Sequence, residues 1–230
     1  MKKEHGLQFP TFGSDRINQA SEPELQALVR EMVRNNSVIW SLLKLAEAEK
    51  LPDAWIVSGA IYQNLWNAML GLPQGHGIKD YDLVYFDGAD LSWQAEDRII
   101  KRIDSRSVDL GVPVEVRNQA RVHLWYPDRF GAAYPKLQHA THSLDYYASK
   151  THAVAVGLEA GTENIKVHAP FGLRNIFDML VVPNYALDNK KTHQDKAARL
   201  QSVWSPVTII DWEDDEFLRH QRQDAGLFLR

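Results

Sequence analysis

Apolar positions along this chain follow two rhythms, one recurring every three or four residues and one every two, and together they predict helices interleaved with strands. Leu25, Leu28, Val29, Met32 and Val33 recur at helical spacing behind Ser21-Glu22-Pro23-Glu24, a capping-box pattern with proline in the first turn. One long helix, or two, is therefore expected over residues 22–49. Ala54-Trp55-Ile56-Val57 reads as a short buried strand, and it runs through Ser58-Gly59-Ala60 into a helical pattern from Ile61 to Leu70. The local motif is strand, tight turn, helix. A loop from Gly71 to Gly77, flexible by composition through Pro73 and Gly75, leads into the aromatic run Tyr81-Asp82-Leu83-Val84-Tyr85-Phe86, a strand. Gln94–Arg106 is amphipathic through Ile99, Ile100 and Ile103 and predicts a helix.

The clearest alternation lies from Val114 to Leu124. Its even positions are mostly apolar (Val114, Val116, Asn118, Ala120, Val122, Leu124), and its odd ones are Glu115, Arg117, Gln119, Arg121 and His123. This predicts one half-buried strand with a polar face. That face is either simply solvated, or it offers Glu115 to a cation and Arg117 and Arg121 to phosphates. Further on, Ala153–Leu158 and Ile165–Ala169 form an expected hairpin, residues 172–180 an expected packing helix, and Lys190, Lys191, Lys196 and Arg199 the basic face of another.

Composition narrows the classes. A chain of 230 residues with 44% hydrophobic content can bury a full core, and the net charge of −4 argues against a large nucleic-acid footprint. There is no cysteine, which removes disulfides and thiolate chemistry; no membrane segment is evident, and Met1-Lys2-Lys3-Glu4-His5 is followed by no apolar stretch of signal-peptide type. A cytoplasmic protein is expected. Candidate chemistry starts with Asp80 and Asp82, two residues apart at the mouth of an apolar strand, where neighbouring carboxylates repel and call for a cation. Alone, such a pair is equally a loop end and a solvated strand edge. His139 and His142, three apart, have no third ligand in sequence, and among Trp55, Trp66, Trp93, Trp125 and Trp204 no base-stacking residue can be singled out.

Taken together, Ser58-Gly59-Ala60 at a strand-to-helix turn, Asp80-x-Asp82 on the next strand and Glu115 on a later one resemble the nucleotidyltransferase superfamily typified by DNA polymerase beta. Lys79–Asp87, Glu115–His123 and Ala169-Pro170-Phe171-Gly172-Leu173 resemble more specifically a bacterial family of predicted nucleotidyltransferases, over roughly residues 50–205. The resemblance implies an α/β (α+β) fold: a mixed sheet flanked by helices, with an N-terminal helical extension (1–50), a core (51–205) and a C-terminal tail (206–230). It also implies that Asp80, Asp82 and Glu115 hold two magnesium ions, with manganese able to substitute, and that Ser58, Gly59, Ala60, Lys79, Arg117 and Arg121 face the phosphates of a nucleoside triphosphate. The implied reaction moves a nucleotidyl group to a hydroxyl acceptor that the sequence does not identify. One departure stands out: Ala60 follows Gly59 where the superfamily has serine or glycine, the hydroxyl lying instead on Ser58. A catalytically silent nucleotide or phosphate binder is the alternative reading.

Overall fold

The computed structural model describes residues 14–214; Met1–His5 and the end of the expected C-terminal tail, from 215 onward, lie outside them. After a short helix α1 (Ser14–Gln19), the expected long helical stretch is two helices, α2 (Glu22–Asn35) and α3 (Ser37–Ala48). Glu24 at the third helical position accepts from the Ser21 N–H at 2.7 Å, closing the start of α2. Buried Asn36 makes the break: its side chain accepts from the Ile39 N–H at 3.0 Å and so caps α3. Strand β1 (Trp55–Val57), helix α4 (Gly59–Met69), strand β2 (Tyr81–Tyr85), helix α5 (Trp93–Ser107) and strand β3 (Val114–Asn118) follow in order. Then come α6 (Val122–Phe130), the hairpin β4 (Ala155–Leu158) and β5 (Ile165–His168), α7 (Arg174–Phe177), β6 (Leu180–Val181), α8 (Lys190–Val203) and β7 (Thr208–Ile209).

The main sheet has strand order β3-β2-β1-β4-β5, with β2 and β3 parallel and every other pairing antiparallel, while β6 and β7 form a separate parallel pair. The fold is thus the expected mixed sheet flanked by helices. Strand residues alternate between its two faces. Ile56, Leu83, Tyr85, Val116 and Val156 face one large core, which also takes Leu25, Val29, Met32, Ile39 and Leu42 from α2 and α3. Those two helices therefore share one core with the sheet. Trp55, Val57, Val84 and Ala155 face the other way and form a smaller cluster with Ala140, Leu144 and Ala153. Large buried rings close the main core: Trp66 donates from Nε1 to the Ile176 carbonyl and Trp204 to Asn67 Oδ1, each at 2.8 Å.

Three sequence expectations are corrected. The strand expected to run to Leu124 ends at Asn118, whose Oδ1 accepts from the Ala120 N–H at 3.1 Å and turns the chain into a 3-10 turn (Gln119–Arg121) and then α6. The helix expected over 172–180 is the single turn α7, followed by Met179 at φ 53° and by β6. The Gly71–Gly77 loop is tied down: Asn67 Nδ2 donates to the His76 carbonyl and the Gly75 N–H to Asn64 Oδ1, both at 3.0 Å, and Arg199 donates to the Gly77 carbonyl. No helix among the described residues is long and apolar enough to cross a membrane.

Candidate active site

The register of three neighbouring strands assembles the site. Asp82 on β2 lies opposite Val57 on β1 and opposite Glu115 on β3, and Val84 lies opposite Arg117. Paired residues share a face, so Asp82, Glu115 and Arg117 all stand on the face turned away from the large core. Asp80 precedes β2 in the loop and is exposed, as is Lys79. At the end of β1 the chain turns sharply into α4 through Ser58, whose N–H donates to the Val154 carbonyl at 2.8 Å. Gly59 and Ala60 begin the helix there, where first-turn N–H groups have no partner within the helix and the dipole is positive.

Ser58 has φ 57° and ψ −119°, a conformation that glycine adopts freely and serine does not, and its side chain makes no capping hydrogen bond. A β-carbon on Gly59 would meet Gln63 Nε2, the far end of a side chain from the next turn of α4, at 2.7 Å. Ser58→Gly is expected to stabilise the fold by about 1 kcal/mol, because it relieves the backbone and gives up no cap. A higher urea midpoint would show it; a lower one would mean that the hydroxyl holds something in place.

Electrostatics mark Asp82 as the centre. Burial pushes its carboxyl up to about 7, the charges of Asp80 and Glu115 push in the same direction, and Lys196 and Arg117 pull it back. A group in this position is poorly stable as an anion until more positive charge arrives. Lys196 stands on α8, where Asn189, Thr192 and Lys196, three and four residues apart, line the same cleft as Ser58, Asp82, Glu115 and Arg117. The cleft measures about 280 Å³. Tyr147 lines it as well; its phenol is pushed far up by burial and further by the charge of Asp82. Of the four basic residues expected on one face, Lys190 pairs with Glu213, Lys191 with Asp195 at 2.7 Å and Arg199 with the Gly77 carbonyl, which leaves Lys196 at the site.

Arg121 is a correction. It is buried on the 3-10 turn, paired with Glu96 of α5, and donates from Nε to the Leu91 carbonyl at 2.9 Å, with Trp93 lying under its guanidinium. Its Nε and Nη1 are committed to holding α5 against β3, and it is not among the residues that line the cleft, so the structure does not bring it to the phosphate site. Arg117 does reach the cleft, where its Nη2 pairs with Glu115 Oε1 at 2.8 Å. The histidines at 139 and 142 lie around a 3-10 turn with their rings 5.3 Å apart, His139 Nδ1 being bonded to Thr141 Oγ1. Sequence spacing gave no hint of Tyr147, whereas Thr192 stands four residues before Lys196, and that helical spacing was the one available signal for it.

The donor set suits a hard divalent cation, since it consists only of carboxylate oxygens and its central member is disfavoured as an anion. Among the described residues, however, no group of three or more His, Cys, Asp or Glu stands placed to hold a metal ion. Glu115 is turned toward Arg117, and Asp80 lies out in the loop. The three carboxylates thus supply the right chemistry without a closed ligand set.

A family model described as nucleotidyltransferase matches residues 44–209. A solved NMR structure, reported as revealing a CCA-adding enzyme head domain, is similar with a TM-score of 0.66 and 18% identity, covering 85% of this chain and 99% of that one. At that identity the likeness is one of fold. Comparison with curated proteins gives no match.

Proposed function

This chain belongs to the nucleotidyltransferase family, and from that premise we propose that it moves a nucleotidyl group from a nucleoside triphosphate to a hydroxyl acceptor, with release of pyrophosphate. The observation that carries the reading is the in-register pairing of Asp82 with Glu115 beside the Ser58 turn, on a sheet face that opens into a cleft. Asp80, Asp82 and Glu115 would hold magnesium, two ions in the full reading and with manganese able to replace it. Bound there, magnesium would neutralise charge on the reacting phosphate and the departing pyrophosphate.

The chain's own groups do the rest. First-turn N–H groups at Gly59 and Ala60 face the phosphate chain, and the dipole of α4 favours its charge. Lys196 and Arg117 add positive charge at the cleft wall. Lys79 stands at the loop entrance as a further phosphate contact. Glu115 takes the proton of the acceptor hydroxyl as its oxygen bonds to the α-phosphorus and the bond to the β-phosphate oxygen breaks. Holding the cation and receiving that proton both require Glu115 to leave Arg117, and substrate phosphate is the natural exchange partner for that guanidinium. The donor is a cytoplasmic metabolite, which sets the expected location.

Magnesium-dependent pyrophosphate release, assayed across acceptors that include nucleotides, sugars and protein hydroxyls, tests the reading. Glu115→Gln is expected to bind triphosphate within a few-fold of wild type and to lose roughly 10²-fold or more in transfer. Equal turnover in the two proteins would refute the role given to Glu115. The Glu115–Arg117 pair also favours a second reading, a protein that binds triphosphate and does not transfer it. Tight magnesium-dependent binding with no pyrophosphate release over the whole panel would establish that one.

A further inference from the structure

The charged end of the cleft opens onto a wall of rings that neither hydrophobic core explains. Trp125, Tyr126 and Phe130 of α6, together with Tyr134 and Tyr146, line the same cavity as Asp82 and Glu115. Trp125, Tyr126, Phe130 and Tyr134 belong to neither buried cluster, and Phe130 is half exposed. Rings that stabilise a fold are taken out of water; here Phe130 is exposed and Trp125, Tyr126, Tyr134 and Tyr146 are only partly buried along the cleft. They are nonetheless organised. Tyr126 packs on Phe130 and on Tyr134, each with ring centres 4.5 Å apart, and Tyr134 meets Tyr146 edge-on at 5.6 Å. Asn189 at the start of α8 clamps the wall, accepting from the Tyr126 hydroxyl at 3.2 Å and donating from Nδ2 to the Tyr146 carbonyl at 3.1 Å. The guanidinium of Arg129 lies over Phe130 at 5.4 Å, a cationic rim beside the rings.

We propose that this wall is a stacking subsite for a nucleobase ring whose phosphates lie at the Asp82 and Ser58 end of the same cleft. The inference rests on the nucleotidyltransferase reading and adds which part of the substrate the aromatic wall receives. Three features support it. One continuous cavity joins anion-binding groups to planar apolar ones, matching a molecule that carries phosphates at one end and a flat π-rich ring at the other. The wall is held in place before binding by Asn189 and by ring-on-ring packing, so little ordering is needed when a base arrives. The Asn189 amide and the Tyr126 hydroxyl already bond to each other, leaving stacking as the main source of recognition, and stacking tolerates any base. The subsite therefore separates nucleotides from ring-free phosphates far better than one base from another.

Two sources of such a ring exist, the base of the donor triphosphate and the base of an acceptor nucleotide, and titrations of the full chain distinguish them. Wild type, Phe130→Ala and Trp125→Leu are titrated with magnesium and either a nonhydrolysable nucleoside triphosphate or inorganic tripolyphosphate. Each protein saturated with the triphosphate analogue is then titrated with nucleoside monophosphates. The substitutions are expected to weaken one of the two nucleotide ligands by about 10-fold or more while tripolyphosphate binding changes by less than about 2-fold. Loss at the triphosphate assigns the ring to the donor, and loss at the monophosphate assigns it to the acceptor. If both nucleotide ligands bind the variants as they bind wild type, or tripolyphosphate is weakened equally, the stacking subsite is overturned while the transferase reading stands. If wild type binds neither triphosphate analogue nor tripolyphosphate, that reading fails and the subsite falls with it.

Discussion

Asp82→Asn is expected to abolish transfer, by about 10³-fold or more, and at the same time to make the protein more stable at pH 8. The first effect follows from the role proposed for Asp82: its replacement would remove the central charge for a cation that neutralises the phosphates, an interaction worth several kcal/mol in the transition state. The second follows from the electrostatics of the free site. The carboxyl of Asp82 ordinarily titrates near 3.8 and in the fold is pushed up to about 7, first by burial and then by Asp80 and Glu115. Below the lower value both folded and unfolded chains are protonated and nothing is lost. Between the two values the folded chain holds a proton that the unfolded chain has released, so stability falls as pH rises, and the cost is complete above about 7.

That cost is at most about 4 kcal/mol, and the amide of asparagine must still be desolvated, so a gain of about 1 kcal/mol or more is expected at pH 8. Near pH 4 wild type and variant should melt together. Magnesium should raise the melting temperature of wild type at pH 8 and leave that of the variant unchanged, because only the carboxylate site gains from the cation. Melting curves at several pH values, with and without magnesium, test all three points. A variant less stable than wild type at pH 8 without magnesium would contradict the account of Asp82 as a strained anion.

The same residue shows what local pattern can and cannot reveal. Period-two spacing correctly placed Asp82, Glu115 and Arg117 on polar positions of their strands, because within a strand the parity of a residue decides its face. The argument failed at Arg121, where parity still held in the sequence but the strand had ended. Asn118 turns the backbone at that point, and its side chain also braces the neighbouring loop by accepting from the Asp87 N–H at 3.0 Å. Ala120 and Val122 continue an apolar rhythm that a strand and a 3-10 turn followed by a helix satisfy equally well over so few residues. Lys196 was visible only as one basic residue among several. Its approach to Asp82 depends on how α8 packs across the cleft, a long-range contact with no local signature. The aromatic wall was hidden for a related reason, since Pro127 and four large rings in and after α6 look like core or loop until the core is seen to lie elsewhere.

Arg121→Ala is expected to destabilise the protein by about 3–5 kcal/mol and to leave triphosphate affinity of the folded molecules unchanged. Glu96 is almost fully buried, and besides pairing with Arg121 it accepts from the Asn118 N–H at 2.8 Å. Removing the arginine leaves this carboxylate in the interior without its counter-charge, a far larger penalty than the loss of an exposed pair. It also frees the Leu91 carbonyl that Arg121 Nε bonds, so the start of α5 loses an anchor to the end of β3. Replacing both partners, as Glu96→Met with Arg121→Met, should recover much of the loss because no buried charge remains. Recovery will be incomplete, since the Asn118 N–H loses its acceptor at a further cost of about 1–3 kcal/mol. Urea unfolding gives the energies, and triphosphate titration well below the unfolding midpoint gives the affinities. A phosphate-binding Arg121 would give the opposite pattern, a stable protein with weakened triphosphate binding, and that result would reverse its assignment to the frame that holds α5 on β3.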